Sequence, residues 1–123
     1  MVEVILEDLH NHLKTGGWPG KVNANRVVDK ASHVLGEGGV LGITNYLPVK
    51  RYEDFVNSVR YDKIDLGNAV YLSQPKLIVI KTSEIMTQLP NGQAEILAVG
   101  LDKDKNPEHR RSLGDTLKEV RDL

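Results

Sequence analysis

The order of apolar segments near the amino terminus constrains the fold of this chain most. Residues 2–6 are mostly apolar and β-favouring, and residues 39–46 form a second run of this kind. Between them, residues 23–35 place apolar side chains at the spacing of one helix face, and Gly36 follows as a candidate C-cap. A strand, a loop, a helix and a second strand form the crossover unit of a parallel sheet, so the sequence predicts an α/β fold.

The middle of the chain predicts further elements of the same kind. Residues 52–59 predict a short helix, whereas residues 63–72 fit neither a helix nor a strand clearly. The apolar run 76–80 predicts a third buried strand, which continues as far as Glu84.

The last third predicts a hairpin, a linker and a helix. Residues 89–92 indicate a turn that pairs residues 83–88 with residues 94–101. Residues 102–111 carry balanced charges and are interpreted as a solvated linker. Ser112 resembles the first residue of a capping box, so we expect it to open the final helix.

Composition fits one globular domain and narrows its chemistry. The chain has 123 residues, 40% hydrophobic and 27% charged, so we expect residues 1–123 to form a single domain. Sixteen Lys and Arg against seventeen Asp and Glu give a net charge of -1, which disfavours nucleic acid as a partner. Because cysteine is absent, His, Asp and Glu are the strong metal ligands. With no signal peptide and no apolar run of about 18 residues, we expect a cytoplasmic protein without a membrane span.

Asp8, His10 and His12 form the motif that carries most chemical information. Side chains two residues apart on a strand project to the same face, spaced by about 6.6 Å along the backbone. Two imidazoles placed in this way can reach one cation, and the motif follows the first predicted strand at the edge where α/β sheets build sites. The alternative is a pair of partly exposed histidines where a strand meets a loop.

Glu84 is the natural third ligand. It follows a buried strand, so its side chain lies at the same carboxyl edge as the two histidines if the strands are parallel. The alternative is a solvated residue of the hairpin. Asn45 and Tyr46 close the second strand at this edge, Asn45 as a weak neutral ligand and Tyr46 as a hydrogen-bond donor or a packing ring.

Other polar residues have weaker claims. Lys50 and Arg51 follow the second strand closely enough to meet an anionic substrate, although they also fit a solvated pair in a loop. His33 on the predicted helix and His109 in the charged segment are interpreted as surface histidines.

Four short motifs occur in a distinctive order. They are Asp8-Leu9-His10-Asn11-His12, Ile43-Thr44-Asn45-Tyr46, Ser83-Glu84 and Glu95-Ile96-Leu97-Ala98-Val99-Gly100. This order, which covers most of the chain, resembles the first part of the polymerase and histidinol phosphatase (PHP) family. The resemblance implies a distorted seven-stranded β/α barrel that holds a metal cluster at the carboxyl ends of its strands and hydrolyses phosphoesters.

The resemblance also implies a ligand set. His10 and His12 match the family's first metal-binding pair, and Glu84 matches its bridging glutamate. Glu95 stands where the family often has a histidine and can coordinate through its carboxylate, whereas Asn45 stands where the family usually has an aspartate and is a weaker ligand. The implied cofactor is a divalent metal, either zinc, manganese or iron.

The activity implied in this way is a metal-dependent phosphoesterase that attacks a small phosphorylated substrate with water. Asp8 would orient a histidine, and Lys50 or Arg51 would hold the phosphate. The alternative is a degenerate relative that keeps the fold for binding or assembly, and Asn45 and Tyr46 favour this alternative.

The family's later metal-binding motifs have no counterpart in this sequence. A closed β/α barrel needs about 200 residues or more, so the expected fold is about half of a PHP-type barrel, incomplete at its carboxyl end. The chain would then be a fragment, a self-standing half-barrel or a subunit completed by association. We hypothesise a homo-oligomer or a partner subunit, which predicts an exposed apolar sheet edge.

Overall fold

The computed structural model describes residues 6–13, 23–46, 50–102 and 105–122. They form one mixed sheet of seven strands and three helices, so the prediction of an α/β fold is confirmed. Over these residues the sheet is open and does not close into a barrel. The elements in chain order are β1 (Glu7–Asp8), α1 (Ala24–Leu35), β2 (Gly39–Asn45), α2 (Arg51–Ser58), β3 (Lys63–Asp65), β4 (Ala69–Ser73), β5 (Lys76–Leu89), β6 (Gly92–Val99), β7 (Arg111–Ser112) and α3 (Leu113–Asp122).

The predicted crossover unit is present. β1 pairs with β2 in parallel, and β2 pairs with β5 in parallel from Gly39 opposite Leu77 to Asn45 opposite Ser83. Most of the predicted first strand, residues 2–5, lies outside the described residues. The carboxyl ends of β1 and β2 lie at the end of this parallel pairing, which stops at Ser83 on β5. β5 itself continues to Leu89, so Glu84 lies inside the strand, and the prediction that the strand ends at Glu84 is wrong.

Local capping explains where α1 begins and ends. The Asn23 side chain accepts hydrogen bonds from the backbone amides of Asn25 and Arg26, which would otherwise lack partners in the first turn. Gly36 ends the helix with a φ of 80°, a conformation that glycine adopts without steric cost. The prediction of a helix over residues 23–35 is confirmed.

β5 is the central strand of the sheet, because four other strands pair with it. β2 pairs with one edge of its first half up to Ser83, and β4 pairs with the other edge. Thr87 pairs with β6 and also with β7, which places β7 on the same edge as β2. We call the stretch of β5 between Ser83 and Thr87, where β2 has ended and β7 has not begun, the seam.

Residues 63–72, which the sequence left open, form the antiparallel hairpin β3–β4 at the far side of the sheet. The turn from β4 to β5 contains a cis peptide bond between Gln74 and Pro75. The predicted hairpin over residues 83–88 and 94–101 is confirmed as the β5–β6 pair.

Two apolar clusters stabilise the fold. The larger cluster lies between the sheet and the two helices α1 and α2, and includes Val28, Ile43, Phe55, Leu72 and Leu77. The smaller cluster joins β5, β6 and α3 through Ile85, Ala98, Leu101 and Val120. On α3, Val120 packs on this cluster, whereas Leu113 and Leu117 of the same apolar face are exposed.

The interpretation of residues 102–111 as a solvated linker is wrong in several places. The fully buried Lys81 of β5 donates hydrogen bonds from Nζ to the carbonyl oxygens of Asp102 and Lys105. Pro107 is buried, and Arg111 starts β7. The prediction rested on the balanced charges of the side chains in this segment. The contacts to the buried ammonium group of Lys81 are made by backbone carbonyl oxygens, which side-chain composition does not reveal.

The three helices are each too short and too polar to cross a bilayer, which applies to the described part of the chain. A cytoplasmic location stays a prediction.

Candidate metal centre

His10, His12 and Glu84 meet just beyond the point where the parallel pairing of β2 with β5 stops. Nε2 of His10 lies 2.5 Å from Oε2 of Glu84, and Nε2 of His12 lies 2.9 Å from the same oxygen. The two Nε2 atoms are 3.1 Å apart. The structure therefore brings together the two histidines and the distant glutamate that the sequence singled out, as a group that could hold a metal ion.

Hydrogen bonding alone cannot satisfy this triangle of contacts. A ring nitrogen has one in-plane position, so each Nε2 either donates a proton or accepts one. If both histidines donate to Glu84, the contact between the two Nε2 atoms brings two donors together. If one Nε2 accepts, the single proton of the other has to serve two partners. A cation at the centre would meet the lone pairs of all three atoms at once.

The dimensions fit a transition metal after a small opening of the group. Ligand atoms about 2.1 Å from a tetrahedral cation lie roughly 3.4 Å from one another. The three observed contacts are shorter than this by less than 1 Å. The Glu84 side chain is 12% exposed and those of His10 and His12 are 49% and 41% exposed, so the histidines can move towards solvent.

The segment that follows β1 is fastened to β2 by Asn11. The amide of Asn11 donates to Oγ1 of Thr44, and the amide of Thr44 donates to the Asn11 carbonyl. A Cβ atom at Gly42 would lie 2.4 Å from the Leu9 carbonyl oxygen, so only glycine allows this close approach. These contacts hold the segment that carries His10 and His12, which follows β1 and is not itself part of a strand, against β2.

β5 and β6 position two carboxyl groups on one face. Glu84 pairs with Leu97 across the antiparallel ladder, which makes Glu95 its diagonal neighbour. Burial acts to raise the pKa of Glu84, but hydrogen bonds from the two histidines and Glu95 outweigh it and lower the pKa below its ordinary value. The hydrogen bond to Glu84, together with its charge, raises the pKa of Glu95. A proton shared by this pair therefore resides on Glu95.

An open cavity of about 310 Å³ adjoins two of the three candidate ligands, His12 and Glu84. Its lining residues are His12, Tyr46, Arg51, Glu84 and Glu95. Of the two predicted anion-binding residues, Arg51 lines this cavity. Lys50 is exposed at the start of α2 and is not among the lining residues.

Two other predicted site residues contact different partners. Both ends of the buried Asn45 side chain are used, since Oδ1 accepts from the Tyr52 amide at 2.7 Å and Nδ2 donates to Glu53 at 2.8 Å. Asn45 thus ties β2 to α2 and does not join the three ligands. Oδ1 of Asp8 accepts a hydrogen bond from Nδ2 of Asn11 at 3.1 Å, and a role of Asp8 in orienting a histidine stays a prediction.

His109 is the residue that sequence reasoning missed. Its Nδ1 accepts a hydrogen bond from the Met86 amide at 2.9 Å, and its ring centroid lies 4.7 Å from that of Tyr46. Burial and the neighbouring charge of Arg110 lower the pKa of His109. The interpretation of His109 as a surface histidine is wrong, whereas His33 is exposed as expected. No local pattern marks His109, because its position depends on the pairing of β7 with a strand more than twenty residues earlier.

Comparisons of the chain with protein-family models, with curated proteins and with solved structures found no match. The strongest element of the site's geometry is the convergence of His10, His12 and Glu84.

Proposed function

We propose that this protein is a metal-dependent phosphoester hydrolase in which His10, His12 and Glu84 hold a divalent cation. The observation that carries the proposal is the mutual contact of three ligand atoms that no arrangement of protons satisfies. Imidazole and carboxylate donors suit zinc, manganese and iron. A bound cation would supply an activated water and neutralise charge on the phosphoryl oxygens.

The residues of the cavity suit a small phosphorylated substrate. Arg51 lines the cavity together with Glu84 and Glu95 and can hold phosphate oxygens through two parallel hydrogen bonds. Glu95 lies beside Glu84 and would complete the ligand set. A volume of about 310 Å³ suits a small phosphoester, with the rest of the substrate in solvent.

The arrangement of strands supports a relationship to the PHP family. We propose that β1, β2 and β5 correspond to the first parallel strands of that barrel, because His10 and His12 follow β1 and Glu84 lies on β5 directly after its parallel pairing with β2 stops. On this view the open sheet is a partial barrel, which a second copy or a partner subunit would complete.

A second candidate is a degenerate module that binds metal without catalysis. The engagement of Asn45 with α2 favours it, because this residue stands where the family usually has a ligand. A cation held only by His10, His12, Glu84 and Glu95 would have fewer protein ligands than a multi-metal cluster needs.

Elemental analysis of dialysed protein tests metal binding. We expect about one equivalent of zinc or manganese per chain, lost in His10→Ala and retained in His33→Ala, which removes an exposed histidine of α1. Hydrolysis of an aryl phosphate with added manganese tests catalysis. Metal lost with His10 but no hydrolysis by the wild type would favour the degenerate module, and protein free of metal under all conditions would overturn both candidates.

A further inference from the structure

We infer that His109 is a positioning residue for the substrate cavity: its imidazole holds the Tyr46 ring in the cavity wall beside Glu84. The inference rests on the proposed function, because this cavity is the one in which the phosphoester would bind. Tyr46 contributes to the cavity wall together with Glu84 and Arg51. His109 is outside the lining and acts through Tyr46.

His109 lies at the seam of β5. β2 pairs with β5 as far as Ser83, and β7 takes over the same edge from Thr87. Between them, the Met86 amide donates to Nδ1 of His109, and the Met86 carbonyl accepts from the Arg110 amide. The imidazole therefore replaces a strand partner where the edge would otherwise be open.

The imidazole of His109 also contacts the ring of Tyr46. Tyr46 is the residue directly after β2, and its ring meets the imidazole at a centroid distance of 4.7 Å and an interplanar angle of 55°. Such tilted contacts are favourable for aromatic rings. The pair bridges the end of β2 and the approach to β7, and Glu84 lies in the seam between those two strands.

The backbone around His109 holds the imidazole ring in one orientation. Arg110 has a φ of 64°, a left-handed conformation that is unfavourable for a residue other than glycine. Such a conformation persists where surrounding contacts impose it, and here two hydrogen bonds to Met86 do so. Because Nδ1 accepts from an amide, the proton of the neutral ring is on Nε2.

Two substitutions of His109 distinguish the role of its ring from the role of its hydrogen-bond acceptor. His109→Phe keeps a ring against Tyr46 and loses the acceptor for the Met86 amide. His109→Asn keeps a side-chain acceptor and loses the ring. If His109 acts through Tyr46, the KM for an aryl phosphate rises about tenfold in His109→Asn and stays within about threefold of wild type in His109→Phe. Metal content should be unchanged in both variants, and His33→Asn is the matched control.

A double-mutant cycle with Tyr46→Ala completes the test. We expect the KM of Tyr46→Ala to match that of His109→Asn, and the combined variant to be no worse than either alone. Additive effects, or equal losses in His109→Phe and His109→Asn, would overturn the inference and indicate that His109 only supports the fold. Thermal melting identifies any variant that is unfolded. If one of the two His109 variants is unfolded, the KM of the folded variant is compared with the KM of Tyr46→Ala.

Failure of the proposed function gives a different result. If the wild type binds metal without hydrolysis, the same variants are compared by the Kd for inorganic phosphate in calorimetry, with the expected order unchanged. A wild-type protein that binds neither metal nor phosphate overturns the proposed function and this inference together.

Discussion

At the scale of single residues, Oε2 of Glu84 is the atom on which the candidate site depends. Both imidazoles contact it, and Glu95 is hydrogen-bonded to the same carboxyl group. The low pKa of Glu84 keeps a negative charge next to the two histidines. If these side chains hold a metal ion, removal of the negative charge of Glu84 lowers the affinity for that ion. If they only form hydrogen bonds with one another, it does not.

Glu84→Gln keeps the shape of the side chain and removes its charge. We expect the affinity for zinc or manganese to fall at least about tenfold, because a neutral amide oxygen is a weaker ligand than a carboxylate. Competition with a chromophoric chelator measures the effect. Glu37→Gln, an exposed residue in the turn before β2, is the control, and equal affinities in the two variants would contradict the site.

Arg51 and Lys50 offer a matched comparison of neighbouring cations. Arg51 lines the cavity and Lys50 does not, so Arg51→Ala should raise the KM for an aryl phosphate by about tenfold or more while Lys50→Ala changes it little. Steady-state kinetics on both variants checks this. A larger effect of Lys50→Ala would show that the phosphate binds elsewhere.

Tyr61 provides a pH-dependent signal remote from the site. Its hydroxyl donates to Asp29 at 2.5 Å, and this hydrogen bond raises the pKa of Tyr61 above its ordinary value. A raised folded-state pKa means that the stabilisation is complete below the unfolded value, near pH 10, and is lost as the pH rises through the folded value. Absorbance at alkaline pH should show one tyrosine that ionises earlier in Asp29→Asn than in wild type. Identical titration curves would exclude the interaction in solution.

At the scale of elements, β2 and α2 are joined by the buried amide of Asn45. Asn45→Ala leaves the Tyr52 amide without its acceptor, so we expect a loss of about 1–3 kcal/mol in the free energy of unfolding. Urea denaturation measures the loss, and Asn57→Ala on the exposed side of α2 is the control. Because Asn45 contacts α2 and not the histidines, metal content should be unchanged. Loss of metal in this variant would return Asn45 to the ligand set.

The sequence predicted those elements whose cause is local. The periodicity of α1, with Asn23 and Gly36 at its ends, specifies that helix without help from the rest of the chain. The turn after β5 specifies the β5–β6 hairpin in the same way. The two-residue strand β7 has no such signal, because it depends on an edge of β5 more than twenty residues earlier. The strand β3 pairs with the neighbouring β4, but its three residues are too few to show an alternation pattern.

The site was predictable to the same extent. The spacing of His10 and His12 and the position of Glu84 after the apolar run 76–80 were enough to indicate one ligand group, although β5 continues past Glu84. Asn45 was assigned to the ligand edge because it ends β2. Its side chain points to the side of the sheet that faces the helices, where Ile43 is also buried. Which face of β2 meets the helices could be recognised only from the position of α2.

At the scale of the whole molecule, the described sheet ends at β1 on one side and β3 on the other. β3 carries Ile64, which is 60% exposed. An exposed strand with an apolar side chain is a surface on which a second sheet can add. The completion of the sheet by a second copy or another subunit stays a prediction.

Substitution at this edge tests self-association. We expect sedimentation velocity to show concentration-dependent dimers of the wild type, and Ile64→Lys to shift the protein to monomer. Val34→Lys, at a residue of α1 that is 64% exposed, should leave the dimer intact. A wild-type protein that stays monomeric at high concentration would remove the idea.

The large sequence separation between the candidate ligands has a consequence for folding kinetics. His10 and His12 are separated from Glu84 by 74 and 72 residues, so the centre forms only after the loop between them has closed. A cation that binds the native state alone adds to its stability by mass action and leaves early intermediates unaffected. Capture of metal during refolding would then mark the moment at which β1, β2 and β5 have all docked.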